Sequence, residues 1–545
     1  MINSSRSSKT LASSDEALLQ REPLLAFLGS PSSYPHRPLS VRLIQTHISW
    51  VFIAPPFVYK VKKPVNLGFL DFSTLEKRHH FCQRELELNR RLCPETYLGV
   101  ISIYKSGTSF SFDAEEGKIA EYSVKMRELP HGWFLSELLA KGAVGETEIN
   151  RVIARLHLFY ESEHPTPEIE KWGRREKLKI STDENFVQVE PFLEKTISPL
   201  AFDAIRFFTN NFYAANKSLF AERIKQRRIR DCHGDLHLDH VHLTSEAVTI
   251  FDCIEFSDRF RFIDIANDLA FLAMDFDFER QHKLGDLFLR NAAREFGDSG
   301  LLKLADFYKC YRAFVRGKVE SIEAMSEGAT DREEHTKRAT RYFRLALRYS
   351  AIGSKPSILA VMGQIGTGKS TVSKQLASEL DWPVFSSDEI RKTLAGVPLN
   401  VRTAPELRDT VYSDQMTDRT YEKLLENGLA ALATHSGVIF DATFSSRRKR
   451  ERLRNECAKT GIQLQIIELA ADREEIQRRL KARGETAAEV SDARLEDSEK
   501  LSAGYEAPSE VADLSRVSTA DGVLDTVKAL LLCLAEKQST LVVSQ

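Results

Sequence analysis

Within twelve residues, Cys232 to Leu243, the sequence CHGDLHLDHVHL sets four histidines and two aspartates. Side chains of these types at this density can do two different kinds of chemistry. They can cage a transition metal, since imidazole and carboxylate are common zinc donors. Alternatively, one aspartate can serve as the base that accepts a hydroxyl proton next to a phosphate donor. The run Asp235-x-His237-x-Asp239-His240 comes one residue short of a His-x-His-x-Asp-His zinc set. A zinc cage would also need ligands downstream, and the next histidines, His282 and His335, fall in charged, helical sequence. The base reading finds its missing parts in order. VHLTSEAVTIFDCIEF reads as a strand, a turn at Thr244–Glu246, a second strand and then Asp252, a carboxylate suited to a phosphate-bound metal.

A second constellation lies 120 residues further on. GQIGTGKST, Gly363 to Thr371, satisfies G-x-x-x-x-G-K-[ST] between an apolar strand, ILAVMG, and a helical pattern. Gly363, Gly366 and Gly368 would let successive N–H groups turn inward onto phosphates at a helix N-terminus. Lys369 would reach the β/γ-phosphates, with the hydroxyls of Ser370 and Thr371 beside it and Ser370 on Mg²⁺. VFSSDEIRKTL then places Asp388 after a short strand, with Arg391 one turn later, and GVIFDATF ends an apolar strand in Asp441. The helix after QIIELAAD carries Arg478, Arg479 and Arg483. Asp388 reads as well as a helix cap, and the three arginines as well as a solvated face. No Asn-Lys-x-Asp motif follows, which disfavours a GTPase.

These groups need scaffolds. SWVFIA and FVYKVKK read as a hairpin turned at Pro55-Pro56. DFSTLEKRHHFCQRELELNRRL reads as a helix opened by a Ser73/Glu76 capping box. From about 120 to 350 the pattern is mostly helical, broken by the histidine-rich stretch, and GSKPS at 353–357 is the linker candidate. The expected division is a disordered tail at 1–14, a first domain at 15–350, a linker at 351–357 and a second domain at 358–540. The expected fold class is α/β and α+β multidomain, with a parallel sheet flanked by helices in the C-terminal part.

Composition bounds the rest. With 545 residues the chain exceeds one ordinary core. A formal net charge of -2 creates no field that would recruit nucleic acid or anionic membrane. The basic runs KQRRIR and SRRKRERLR read as solvated helix faces. Seven scattered cysteines without a Cys-x-x-Cys pair indicate reduced thiols and a cytoplasmic setting. No run is long and apolar enough to span a bilayer, so no membrane association is expected. The polar N-terminus lacks a signal-peptide centre, with an organelle transit peptide as the second reading.

From GQIGTGKST onward the order of motifs resembles the small-molecule and polynucleotide kinase branch of P-loop proteins, including zeta-toxin-like kinases. That likeness implies that Asp388 orients or deprotonates the acceptor hydroxyl, Arg391 holds the acceptor, and Arg478, Arg479 and Arg483 form a lid. THISWVF, VYKVKKPVNLGFLDFSTLEKR, RELELNRRL, CHGDLHL and FDCIEFSDRFRFIDIANDLAFL resemble the aminoglycoside phosphotransferase family. The resemblance is nearer still to bifunctional proteins that fuse such a domain to a P-loop ATP-binding domain. It implies a protein-kinase-like N-terminal fold in which Asp235 is the catalytic base and Asp252 holds Mg²⁺. Lys60, with Lys62 as the alternative on the same strand face, would pair the α/β-phosphates, and Glu85 would hold the lysine. The family's metal-binding asparagine is replaced by His240. Imidazole suits Mg²⁺ poorly and Mn²⁺ or Zn²⁺ better, so Mn²⁺ is the alternative metal there. His237 and His242 read as packing or hydrogen-bonding residues. The expected function is an ATP-dependent phosphotransferase with two nucleotide sites, using ATP and Mg²⁺ on hydroxylated small molecules. An oligonucleotide acceptor for the C-terminal domain stays open. The alternatives are a nucleotide-responsive regulator with a degenerate N-terminal module, and a metallohydrolase.

Overall fold

The computed structural model describes residues 22–68, 70–113, 117–326, 331–484 and 503–540, without the side chains of 483 and 484. The expected tail at 1–14 lies outside the described residues. Compact packing divides the chain into two units. The first takes the described residues up to Arg174, Ala221–Asp275 and Asp286–Leu301. The second takes Arg175–Phe220, Phe276–Gly285 and the described residues from Leu302 on.

In the first unit, strands β1 (Arg42–Gln45), β2 (Ser49–Ala54), β3 (Phe57–Lys62), β4 (Tyr97–Ser106), β5 (Ser109–Ser111) and β6 (Lys118–Arg127) form an antiparallel sheet. Their order is β1-β2-β3-β6-β4-β5. The β2–β3 hairpin turns at Pro55-Pro56 as the sequence predicts, through a cis peptide bond. Period-two alternation then sorts β3. Tyr59 and Val61 enter a core with Trp50, Phe52 and Leu28, which leaves Lys60 and Lys62 on the opposite face. That face carries helix α1 (Leu75–Arg90). The cap of α1 is Thr74, whose hydroxyl accepts from Lys77 N, not Ser73. Asp71 takes Ser73 instead, accepting from both its N–H and its hydroxyl, so the next hydroxyl along the chain becomes the cap. The β4–β6 meander was not legible as strands in the sequence, because its alternation is blurred by partly exposed residues on both faces.

The histidine-rich stretch lies between two small antiparallel pairs. β7 (Ile229–Asp231) pairs with β10 (Phe262–Asp264), and β8 (Val241–Leu243) pairs with β9 (Val248–Ile250) as the predicted hairpin. Helix α2 (Ile265–Phe278) starts directly after β10. Its entry is pinned by Arg223, whose Nε and Nη2 donate to the two oxygens of Asp264 at 2.8 and 2.7 Å, while Nη1 donates to Asp298. All three side chains are almost fully buried.

In the second unit, β11 (Ser357–Met362), β12 (Val384–Ser386), β13 (Gly437–Asp441), β14 (Gln463–Ala470) and β15 (Ser515–Ser518) form a wholly parallel sheet in the order β12-β13-β11-β14-β15. Every residue of β11 and β13 is buried, as expected for central strands covered on both faces. The helices that alternate with these strands include α3 (Lys369–Leu380), α4 (Ser387–Ala395), α5 (Asp414–Ala431), α6 (Arg447–Thr460), α7 (Arg473–Gly484) and α8 (Val523–Thr540). The helix Pro199–Ala215, far away in sequence, belongs to the same unit and reaches α8 through Asn211, which donates to Ser539 Oγ at 2.6 Å. Among the described residues no helix is long and apolar enough to cross a membrane. All seven cysteines are free thiols.

Replacing Asp264 by Ala leaves Arg223 buried with half its partners. The expected loss is about 3–5 kcal/mol in the urea transition of the first unit.

Candidate functional sites

In the first unit, four segments distant in sequence meet on the α1 face of the sheet. Lys60 Nζ lies 3.0 Å from Glu85 Oε1 on α1 and 2.5 Å from Asp252 Oδ1, just past β9. Lys62 is more deeply buried and is held by Glu85 Oε2 at 2.7 Å and by Glu255. The choice the sequence left open is therefore a geometric one: Lys60 faces Asp252, and Lys62 is enclosed by Glu85 and Glu255. Burial alone would lower the Lys60 pKa, but the carboxylates of Asp252, Glu85 and Glu255 raise it well above the usual lysine value. Burial pushes the Asp252 carboxyl upward, and Lys60 and His240 overcome this and hold it below the usual carboxylate range. Asp252 adopts a left-handed backbone (φ +63°), which costs a non-glycine residue free energy.

Asp235 enters this cluster on a loop fastened from below. His233 N and Gly234 N donate to the two oxygens of Asp268, each at 2.9 Å, and Leu238 N donates to Asp275 Oδ2 at 2.9 Å. Both carboxylates project from α2, two turns apart. Gly234 has φ +87°, and a Cβ there would lie 2.8 Å from Phe260 O, so the loop needs glycine. His233 Nε2 donates to Phe251 O at 2.8 Å. His240 stands between the two aspartates, 3.6 Å from Asp235 Oδ2 through Nδ1 and 3.6 Å from Asp252 Oδ2 through Nε2. Its Nδ1–H donates to the Asp235 carbonyl at 2.9 Å, so Nε2 is the unprotonated nitrogen of the neutral ring. Burial, with His237 beside it, pushes the His240 pKa down to about 4. His237 Nε2 lies 3.6 Å from Asp235 Oδ2, a closeness its sequence position did not signal. His242 donates to Pro130 O, the hydrogen-bonding role expected of it.

In the second unit the loop between β11 and α3 has the geometry its glycines imply. Gly363 has φ +142°, and a Cβ there would lie 2.4 Å from Leu469 O. Gly366 and Gly368 also have positive φ, and Lys369 opens α3. Lys369 Nζ donates to Gln364 O in the same loop at 2.7 Å. Ser370 hydrogen-bonds Asp441 at the end of β13, and burial raises the Asp441 pKa. Ser370 and Asp441 offer the hard oxygen donors Mg²⁺ takes, so they fit that ion; Thr371 is exposed beside them. The β12–β13 register pairs Ser386 with Asp441, which brings Asp388 close enough for its charge to raise the Asp441 pKa further. Asp388 lies in the first turn of α4, whose N-cap is Ser386, so it is not the cap.

Arg391 is buried, donates through Nη1 to Val411 O and Thr417 Oγ1 at 3.0 Å each, and leaves Nε without a partner. Lys449 sits over the Tyr421 ring, and burial and the Arg391 charge lower its pKa. Lys449 belongs to the run SRRKRERLR, so that run is more than a solvated face: Arg450 is buried against Glu510, while Arg448 and Arg452 stay exposed. The run at 225–230 is likewise structural, since Arg228 and Arg230 donate to backbone carbonyls. The arginines of α7 diverge. Arg479 bonds Glu475 and both oxygens of Thr519 and lies against Gly368, whereas Arg478 is 72% exposed on Glu475. The side chain of Arg483 lies outside the described residues. Thr519 and Lys449 carried no motif that could have marked them.

Comparison with known proteins adds a family. Over 420 residues, 76% of this chain and 81% of the relative, the sequence is 31% identical to uncharacterized protein Rv2004c of Mycobacterium tuberculosis. The chain belongs to the Rv2004c family. Within it, residues 358–508 match the family model described as an AAA domain. Part of the chain is also 29% identical over 133 residues to the shikimate kinase of Rhodopseudomonas palustris, covering 23% of this chain and 60% of that enzyme. A gluconokinase structure from Sinorhizobium meliloti aligns at 20% identity and TM-score 0.27, over 35% of this chain and 98% of that one. In this Rv2004c-family member the chain is mixed α/β, and its C-terminal part is a P-loop kinase-like domain, with shikimate kinase among its sequence relatives.

Two outcomes check the first-unit geometry. Asp268→Asn leaves one of the two loop amides without an acceptor, so the amides of His233 and Gly234 should exchange with deuterium faster while β2 and β3 keep their protection. In metal-free protein, the NMR titration of the His240 ring should have its midpoint near pH 4, well below that of an exposed histidine.

Proposed function

We propose that this protein is an ATP-dependent kinase with two nucleotide sites, each passing the γ-phosphate to a hydroxyl of a small-molecule acceptor. On this reading residues 15–350 form an aminoglycoside phosphotransferase-like, protein-kinase-like domain, and 358–540 form a P-loop kinase domain beyond a 351–357 linker. The observation that carries the first site is Lys60 held between Glu85 and Asp252, with Asp235 across His240 from them.

At the first site Lys60 binds the α/β-phosphates and Glu85 fixes the lysine. Asp252, with His240 beside it, would hold the metal. Mg²⁺ or Mn²⁺, when bound, neutralises charge on the phosphates. Asp235 accepts the proton of the acceptor hydroxyl as its oxygen bonds to the γ-phosphorus and the bond to the β-bridging oxygen breaks, releasing ADP. At the second site Lys369 exchanges the Gln364 carbonyl for the β/γ-phosphates, and Ser370 and Asp441 would hold Mg²⁺. Asp388 orients the acceptor hydroxyl. Arg391, with an unused Nε, and Lys449 beside it favour an acceptor bearing a carboxylate or phosphate. Arg479 covers the loop over the nucleotide. The free, mostly buried thiols suit a cytoplasmic setting.

His240 in place of an amide favours a second reading, in which the first unit binds nucleotide and regulates the second without transferring phosphate. Phosphorylated products from ATP, followed by mass spectrometry over a panel of sugars, aminoglycosides and hydroxy acids, separate the two. Two activities should appear, one lowered at least ~10²-fold by Asp235→Ala and the other by Lys369→Ala. If Lys369→Ala removes every product and Asp235→Ala removes none, the regulatory reading replaces this one.

A further inference from the structure

We propose that Asp235, His237 and His240 together bind a single zinc-class transition ion, and that this ion, by occupying Asp235, switches off phosphate transfer at the first site. The second half rests on the kinase reading above; the binding half does not.

The donor set is of mixed type and closely spaced. One ligand-capable atom from each of the three residues lies within 4.8 Å of the others. Asp235 Oδ2 is 3.6 Å from His237 Nε2 and 3.6 Å from His240 Nδ1, the nitrogen that takes the ion once its proton has left it. Ligands at ~2.0–2.1 Å from a tetrahedral ion stand roughly 3.4 Å apart, so the two pairs that Asp235 makes with the histidines are within a few tenths of an ångström of that spacing. An octahedral Mg²⁺ site asks for oxygen donors roughly 3.0 Å apart, and two imidazoles do not supply them.

The supporting groups behave as they do around zinc-binding histidines, whose second nitrogen faces an oxygen acceptor. His237 turns Nδ1 toward Asp239 Oδ2 at 4.0 Å and Nε2 toward Asp235. His240 turns Nε2 toward Asp252 Oδ2 at 3.6 Å, so that on ion binding the ring proton sits on Nε2 and Nδ1 releases the Asp235 carbonyl. The two rings lie with centroids 3.7 Å apart, at a mutual tilt of 37°. Leu238, between them, is tied through its N–H to Asp275, so the backbone that carries both rings is held in place. The carboxyl of Asp235 is one-third exposed, which gives an ion a route in and leaves a coordination position for water. An ion on Asp235 takes the lone pair that would otherwise receive the hydroxyl proton. No covalent or redox change accompanies the switch.

The test uses the full chain, stripped with a chelator and kept in millimolar Mg²⁺. Zn²⁺ binding is measured by competition with a chromogenic chelator, and Co²⁺ binding by its visible spectrum. The expected result is one Zn²⁺ per chain, at least tenfold weaker in His237→Ala and in His240→Asn and unchanged in Lys369→Ala, with Co²⁺ giving the intense bands of four-coordination. Circular dichroism and thermal unfolding of the variants show whether they remain folded. His240→Asn also restores the amide usual at that position, so it guards against loss of fold. Wild-type protein that binds no Zn²⁺ in Mg²⁺, or binding unmoved by either histidine variant, overturns the site. Zinc binding as expected, with the Asp235-dependent product formed undiminished in saturating Zn²⁺, upholds the site and overturns the switch. If Asp235→Ala abolishes Zn²⁺ binding yet no product ever depended on Asp235, the kinase reading fails and the metal site stands.

Discussion

The first unit depends on putting charge where water cannot reach it. Lys60, Lys62, Glu85 and Glu255 are withdrawn from solvent on one face of a sheet, with Asp252 at the rim. Each alone would carry a desolvation cost of several kcal/mol, and only mutual pairing offsets it. The set therefore forms completely or not at all. That requirement fixes α1 against β3 and brings the segment after β9 up to both. Cationic and anionic groups then sit together at a partly open edge.

The second unit solves a similar problem with backbone. Gly363, Gly366 and Gly368 turn the chain through conformations that side chains disfavour, and the N-terminus of α3 supplies the positive end of a dipole. Lys369 rests on a carbonyl of its own loop, a neutral partner that a phosphate can displace without stranding a buried charge. The P-loop arrangement is compact in sequence because consecutive N–H groups do the binding. The charge cluster of the first unit is dispersed because its groups come from a strand, a helix and two loops.

Rigid support surrounds the charged cluster of each unit. Asp268 and Asp275 hold the Asp235 loop from α2, and Arg223 holds the entry to α2 through Asp264. In the second unit Asp388 and Arg391 stand within one turn of each other on α4. The register of β12 with β13 sets α4 beside Asp441.

Sequence alone determined the features written in neighbouring residues. The P-loop between strand and helix, the hairpin turned at Pro55-Pro56, the strand–turn–strand after His240 and the parallel pattern of the C-terminal part all rest on periodicity and turn chemistry within short windows. A one-residue error at the cap of α1 shows how local that signal is, since Asp71 two positions earlier had already taken Ser73. Tertiary structure decided which like residue does which task. Lys60 rather than Lys62 meets Asp252, Arg479 rather than Arg478 reaches the loop, His237 joins Asp235, and Lys449 emerges from a basic run to stand beside Arg391. In each case the two candidates have the same chemistry and nearly the same place in the pattern. What separates them is the identity of the atoms a few ångströms away, contributed in one case by a residue 192 positions distant, and no local window of sequence contains those.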